Sequence, residues 1–132
     1  MDLNHYKNKI QEFADERNWE QYHTPKNLTM ALSGEVGELT EIFQWLSEEE
    51  SKNLSDKDLQ LAKEEVADIF IYLLRLSTKL NIDLEEAVNE KLEINAKKYP
   101  VDLAKDNAVK YNKRWARYYY NPQEILMQEN IM

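Results

Sequence analysis

The chain has 132 residues and a formal net charge of -8, and it contains no cysteine and only two glycines. The missing cysteines exclude disulfides, thiolate metal sites and cysteine nucleophiles, and the negative charge argues against a nucleic-acid polymer as partner. No apolar run approaches the roughly 20 residues that span a bilayer, and the N-terminus "MDLNHYKNKI" lacks a signal-peptide core. We therefore expect a cytoplasmic all-α protein that does not enter a membrane.

The first two predicted helices occupy the first third of the chain. Apolar residues at three- and four-residue spacing predict an amphipathic helix over residues 3–20 that ends near Trp19. Thr24 is a suitable N-cap, and Pro25 takes the favoured first position of a helix. A second helix is therefore predicted from Pro25 to about Leu46.

Two more helices are predicted after the acidic loop "SEEESKNLSDKD". Ser55 near the end of this loop is a predicted N-cap, so the third helix runs from about Asp56 to Leu80. The fourth helix begins after Asp83 and stops before Pro100, because a residue that precedes proline disfavours the α region.

The composition changes after Pro100. We predict an all-α domain over residues 1–100 and a C-terminal appendage over residues 101–132, which belongs to the same domain or forms an oligomer contact. The segment "VKYNKRWARYYY" interleaves basic and aromatic residues as single-strand binders do. Covering the helices or pairing subunits is the interpretation we favour for it.

Acidic residues on the two central helices form the candidate site. At about 100° per residue, Glu35 lies roughly 20° from Leu28 near the centre of the apolar stripe of the second helix, and Glu38 lies at its edge. The third helix offers Glu65 and Asp68, also three residues apart, on a helix that is apolar nearly all round and so is expected to be covered on two sides. A carboxylate that faces a core must be paired, protonated or bound to metal. Four converging carboxylates predict Mg²⁺, which prefers oxygen ligands and accepts phosphates in its shell.

Both glycines, Gly34 and Gly37, lie beside these acids. A glycine inside a helix costs roughly 1 kcal/mol relative to alanine, so its presence requires a reason. We expect the missing side chains to let another helix, or a flat ligand such as a base, approach the metal site.

Other metal chemistries fit the sequence less well. Di-iron carboxylate bundles need Glu-x-x-His pairs and zinc hydrolases need His-Glu-x-x-His, whereas the two histidines, His5 and His23, have neither spacing. We expect both histidines to be surface or packing residues. Because no Ser, Cys or His nucleophile site is evident, water must attack, and its proton would go to one of the four acids or to Glu64.

Three stretches carry a family resemblance: "FADERNWEQYHTPKNLTMALSGEVGELTEIFQW", "EEVADIFIYLL" and "EKLEINAKKYP". Together they resemble the MazG-like all-α nucleoside triphosphate pyrophosphohydrolases, most closely their dCTP pyrophosphatase branch. The resemblance spans roughly residues 7–100. The family motif, Glu-x-x-Glu followed by Glu-x-x-Asp, corresponds here to Glu35, Glu38, Glu65 and Asp68.

The resemblance implies a four-helix bundle-like core in an intertwined homo-oligomer, commonly a tetramer, with a dimer as the alternative. It implies Mg²⁺-dependent hydrolysis of a (deoxy)nucleoside triphosphate, dCTP or a modified dCTP, to the monophosphate and pyrophosphate, which cleans the nucleotide pool. The four acids would be both metal ligands and catalytic residues. Three aromatic residues would enclose the base and two polar ones would contact phosphate and sugar: Trp19, Trp45, Tyr72, Lys91 and Asn95.

Two alternatives stay open at this point. The helices and the metal motif are shared by enzymes that act on dUTP or on many dNTPs, since base specificity depends on few residues. A non-catalytic helical interaction protein would instead carry the same acids on solvated faces and would show no Mg²⁺ dependence.

Overall fold

The computed structural model describes residues 1–113, and every regular element in that range is a helix. The all-α class is therefore confirmed. The helices, with two short 3₁₀ segments between and after them, are α1 (Leu3–Glu16), 3₁₀ (Glu20–Tyr22), α2 (Pro25–Phe43), α3 (Glu48–Ser51), α4 (Asp56–Lys79), α5 (Leu84–Lys98), α6 (Val101–Ala104) and 3₁₀ (Tyr111–Lys113). None of the helices in this part of the chain is long and apolar enough to cross a membrane.

Helix α1 ends at Glu16, earlier than the end near Trp19 that its apolar spacing predicts. Asn18 adopts a left-handed conformation with φ 54°, and the Trp19 N–H donates to the Ala14 carbonyl at 2.9 Å. This is the hydrogen bond of a Schellman motif, in which asparagine can replace the usual glycine. The Trp19 ring then meets the Phe13 ring edge-on, with centroids 5.7 Å apart. The turn therefore folds Trp19 back beside α1.

The start of helix α2 is confirmed, but its end is not. Thr24 accepts a hydrogen bond from a first-turn N–H, as expected of an N-cap. The helix ends at Phe43 and not near Leu46, because the chain turns there and Ser47 begins a new helix. Ser47 and Glu50 form a capping box, so the predicted acidic loop contains the short helix α3.

The bounds of helices α4 and α5 agree with their predictions. Ser55 caps α4 by accepting a hydrogen bond from the Asp58 N–H at 3.1 Å, and α4 extends to Lys79. Helix α5 ends at Lys98, just before the tyrosine that precedes Pro100.

Residues Met1–Leu84 form one compact unit in which α4 packs against both α2 and α1. Each of the three helices contributes to its core, whose buried apolar residues within the described range are Ala14, Leu28, Ala62 and Leu74. Leu28 is the buried member of α2, as its place in the apolar stripe predicts. This core is small, so much apolar surface of these helices stays exposed.

A row of exposed apolar side chains follows helix α4. Leu59, Val66 and Leu73 are seven residues apart and are 57%, 55% and 37% exposed. A seven-residue spacing places side chains along one line of a helix, as in the contact between two helices of a coiled coil. In the part of the chain that the structure describes, this line of α4 is therefore largely uncovered, although the sequence predicts cover on two sides of the helix.

The chain from Glu85 onwards forms a second compact unit. In its described part, Lys98 lies over the Tyr111 ring at 4.7 Å, and Tyr99 meets the same ring edge-on. The predicted division of the chain at residue 100 stays a prediction. Residues 114–132, with most of the basic and aromatic segment, lie outside the described residues.

Candidate active site

Three carboxylates meet where helix α2 packs against helix α4. One oxygen from each of Glu35, Glu38 and Glu65 lies within 4.8 Å of the other two, a set that could hold a metal ion. Spacing of three residues puts Glu35 and Glu38 on one face of α2, and α2 turns that face toward Glu65. The Glu65 Oε2 atom is buried and has no hydrogen-bond partner among the described residues. A buried carboxylate oxygen of this kind requires a proton or a cation.

The charges in this cluster repel one another. Burial, followed by hydrogen bonding to the Glu38 carboxyl and its charge, raises the pKa of Glu35 to about 7. Burial and the Glu38 charge also raise the pKa of Glu65. The carboxylate of Asp68 adds to both effects. The cluster therefore holds a proton near neutral pH when no cation is bound, which is the electrostatic condition for strong cation binding.

The donor set fits a hard divalent cation. All three residues offer carboxylate oxygens, which Mg²⁺ prefers at roughly 2.1 Å, so that two oxygens on one ion are separated by at most about 4.2 Å. The 4.8 Å spread of the cluster is close to that limit, and small side-chain rotations would close the difference. The residues present therefore fit the predicted metal.

A cavity of about 450 Å³ adjoins this cluster. Glu35 lies in its wall, and so does Asp68, which falls outside the group of three converging carboxylates. Burial and the charges of these two acids raise the pKa of Tyr72, so its phenol stays neutral at pH 7. The remaining wall is formed by α1, the segment after it, and α4, through Tyr6, Lys9, Ile10, Phe13, Trp19, His23, Phe70, Ile71 and Arg75.

The predicted substrate-binding residues divide into three groups. Trp19 and Tyr72 line the cavity. Trp45 follows the end of α2, is 87% exposed and is not part of the cavity wall. Lys91 and Asn95 lie on α5, in the second unit. The assignment of these five residues to substrate stays a prediction.

Several wall residues were missed in the sequence. The apolar stripe of α1 predicts core residues, but Tyr6 and Phe13 are 41% and 48% exposed and face the cavity. His23, expected at the surface or in packing, also lies in the wall. Arg75 could have been found, because it is the strongly polar residue in the apolar run from Ile69 to Leu76.

Arg75 is a buried cation with three side-chain partners. Its side chain is 2% exposed, and its Nη2 donates to Glu20 Oε2 at 2.7 Å. Its Nη1 donates to Gln11 Oε1, and its Nε donates to His23 Nδ1 at 3.2 Å. Lys79 forms an ion pair with the other oxygen of Glu20. Burial and the charge of Arg75 lower the pKa of His23, so this imidazole is neutral at pH 7.

The two glycines of α2 meet no neighbour in the described chain. A Cβ built on Gly34 or on Gly37 would have no atom within 4 Å. No other helix of the described chain therefore approaches this face of α2 closely. The expected approach of a helix or a ligand stays a prediction.

Over the described residues, the helical fold and the carboxylate cluster beside a cavity define an all-α protein with an acidic site that could hold a metal ion. The model of one family, MazG-like, matches residues 30–113, which is more than half of the chain. The chain belongs to the MazG-like family.

Similar proteins agree with this family. The chain is 47% identical over 102 residues to dCTP pyrophosphatase 1 of Bos taurus and 45% identical to that of Homo sapiens. In both, the match covers 76% of this chain and 60% of the relative, so the chain spans less than two thirds of their length. A crystal structure of a pyrophosphatase from Archaeoglobus fulgidus is also similar. It has a TM-score of 0.71 and 43% identity, covering 74% of this chain and 92% of that protein.

Proposed function

We propose that this protein is a nucleoside triphosphate pyrophosphohydrolase that converts dCTP, or a modified dCTP, to the nucleoside monophosphate and pyrophosphate. The observation that carries the proposal is the carboxylate cluster beside a cavity of about 450 Å³, with the buried Glu65 Oε2 left without a partner among the described residues. The volume is within the range of small-molecule sites, which is about 300–1,000 Å³. The relatives named dCTP pyrophosphatase 1 support the choice of dCTP.

The cofactor in this proposal is Mg²⁺, held by Glu35, Glu38 and Glu65. Asp68, in the adjoining wall, is the proposed fourth ligand, because its charge already acts on two members of the cluster. When bound, the metal would neutralise charge on the phosphate oxygens and orient water for attack.

The aromatic wall is the proposed base site. Phe13, Trp19 and Tyr72 line the cavity, and the Phe13 and Trp19 rings meet edge-on; a base can pack against such rings. The base then lies on the α1 side of the cavity, and the phosphates extend toward Glu35 and Asp68. This orientation places the phosphates near the cluster.

A carboxylate of the cluster is the proposed acceptor of the proton that the attacking water loses. Glu64 is the alternative, but it is exposed and already accepts a hydrogen bond from Gln60 Nε2 at 3.0 Å. The raised pKa of Glu35, about 7, belongs to the metal-free cluster; a bound cation lowers the pKa of its carboxylate ligands, so this value does not single out one of the four acids as the acceptor.

We also propose that the protein is a homo-oligomer, a tetramer with a dimer as the alternative. The exposed row of Leu59, Val66 and Leu73 on α4 supports this, since leaving three large apolar side chains in water is unfavourable by about 25 cal/mol per Å². The exposed Trp45 and the open faces of Gly34 and Gly37 offer further contact surface. In such an oligomer, Trp45 of one copy would contact the substrate in the cavity of another copy.

The test is a substrate panel. The common dNTPs and NTPs and 5-methyl-dCTP are each incubated with the protein and Mg²⁺, and pyrophosphate and orthophosphate are measured separately. The proposal expects pyrophosphate, with cytosine deoxynucleotides hydrolysed fastest. A preference for dUTP, or equal rates with all dNTPs, would replace dCTP as the proposed substrate. No turnover of any nucleotide would refute the proposal that the protein is a pyrophosphohydrolase.

A further inference from the structure

Arg75 and His23 form a hydrogen-bonded pair in the wall of the cavity. The Arg75 side chain is almost fully buried, and its Nε lies 3.2 Å from His23 Nδ1. Both residues line the cavity, on the side where the aromatic rings of Phe13 and Trp19 also lie. The two residues are 52 positions apart in the chain and come from different elements. The pair is therefore a product of the tertiary fold.

The chemistry of the pair determines where the imidazole carries its hydrogen. A guanidinium only donates hydrogen bonds, so the ring nitrogen that faces it must accept one. A neutral imidazole with Nδ1 as acceptor carries its single hydrogen on Nε2. A second proton would have to occupy Nδ1 and would face a buried cation. His23 can thus offer the cavity an N–H donor but no acceptor nitrogen.

The guanidinium is fixed in turn by its other partners. Glu20, in the first 3₁₀ segment, and Gln11, in α1, each accept a hydrogen bond from Arg75. Lys79, one turn further along α4, holds the second oxygen of Glu20. With its three nitrogen atoms all engaged, Arg75 cannot rotate into the cavity without losing charge-assisted hydrogen bonds.

We propose that Arg75 is a positioning residue that fixes His23 as an Nε2–H donor in the cavity wall, and that this donor selects nucleobases that present a carbonyl oxygen to it. The inference rests on the proposed function and names a feature of its substrate. Cytosine has one carbonyl oxygen, O2, which is the expected acceptor. Adenine has no carbonyl oxygen: with its amino group toward His23 it would set a donor against a donor, and it would have to turn a ring nitrogen toward His23 to accept the hydrogen bond.

The first test measures the imidazole itself and needs no turnover. Nitrogen NMR of ¹⁵N-histidine-labelled protein distinguishes the two neutral tautomers, and the chain has only two histidines. The His5→Gln variant assigns the signals. His23 is expected to show the Nε2–H tautomer in the unliganded protein. In Arg75→Met, His23 is expected to show a mixture of the two neutral tautomers. A protonated His23, an Nδ1–H tautomer, or no change in Arg75→Met would overturn the inference.

Arg75→Met is a suitable variant because it leaves no charged partner without a counter-ion. Glu20 is half-exposed and keeps its ion pair with Lys79, and Gln11 keeps its hydrogen bond to Asp15. A second variant, His23→Phe, keeps a ring of similar size but has no N–H donor for Arg75 to orient. The two changes and their combination form a double-mutant cycle.

The second test measures selection for the carbonyl oxygen. For each of the four proteins, kcat/KM for dCTP is divided by kcat/KM for 2-thio-dCTP, in which a sulfur that accepts hydrogen bonds poorly replaces O2. We expect a ratio of about ten in the wild type, the worth of one hydrogen bond. The ratio should fall toward one in both Arg75→Met and His23→Phe, with no further change when Arg75→Met is added to His23→Phe.

The outcomes separate this inference from the proposed function. Equal ratios in wild type and Arg75→Met would overturn the base selection. An equal loss of kcat/KM for dCTP on Arg75→Met, whether His23 is native or already replaced by phenylalanine, would show that Arg75 does not act through His23. Absence of all hydrolysis in the wild type would refute the proposed function and with it the selected ligand. The NMR result would still decide whether Arg75 fixes His23.

Discussion

Replacing Glu35 by glutamine should change how the stability of the metal-free protein depends on pH. Burial beside Glu38 raises the pKa of Glu35 from 4.5 to about 7 in the folded state. Between these two values the folded protein keeps a proton that the unfolded chain has lost. The free energy of unfolding contributed by this group is therefore fully present below about pH 4.5 and is lost as the pH rises to about 7.

The magnitude follows from the single proton involved. One proton bound in the folded state alone gives a slope of at most about 1.4 kcal/mol per pH unit, and solvent screening at the partly exposed Glu35 narrows the pH range over which this slope applies. The raised pKa of Glu65 acts in the same direction. The lowered pKa of His23 acts in the opposite direction, because it favours the folded state as the pH rises through the ordinary histidine value of 6.5. Only a comparison of variants therefore isolates the contribution of Glu35 to the pH dependence of stability.

The assay is urea unfolding followed by circular dichroism between pH 4.5 and 8, with a chelator present. Glu35→Gln should remove most of the decline seen in the wild type, whereas Glu41→Gln, an exposed residue on the same helix outside the cluster, should retain it. Added Mg²⁺ at 100 times its dissociation constant should stabilise the wild type by about 2.7 kcal/mol and leave Glu35→Gln unchanged. Parallel curves for wild type and Glu35→Gln would refute the reasoning about the cluster.

Three further predictions concern packing and assembly. Leu74→Ala removes the side chain of a fully buried residue and should lower the free energy of unfolding by about 2–5 kcal/mol; a loss below about 1 kcal/mol in urea unfolding would contradict the described core. Gly37→Ala should lower kcat/KM with helix content unchanged, since its Cβ meets nothing in the described chain but would meet an approaching base or partner, and unaltered kinetics would remove that role. Leu59→Glu should shift the mass measured by light scattering from oligomer to smaller species, whereas an unchanged mass would place the interface elsewhere.

The sequence predicts helix ends best where a local signal fixes them. Thr24 and Ser55 act as N-caps at the expected positions, and α5 stops ahead of Pro100. The end of α1 was missed because its signal is a single asparagine, Asn18, in a left-handed conformation. Helix α3 was missed because its capping residue, Ser47, begins a run of acids that resembles a solvated loop.

The site was predictable to the extent that it depends on helical spacing. Glu35 and Glu38 share a face because they are three residues apart, and an apolar α4 had to pack near them, which brings Glu65 into the cluster. The pairing of Arg75 with His23 could not be predicted, because it joins residues 52 positions apart through tertiary packing. No spacing rule within one helix reports such a contact.

The most direct test of the account is product analysis of dCTP hydrolysis with Mg²⁺ by wild type, Glu35→Gln and Glu41→Gln proteins. The account predicts that wild type and Glu41→Gln each release one pyrophosphate per dCMP at similar rates. It predicts a rate reduced by about 100-fold or more in Glu35→Gln, since a proposed metal ligand is lost. Orthophosphate as the product, or equal rates in the three proteins, would contradict the claim that the carboxylate cluster is the catalytic centre of a pyrophosphohydrolase.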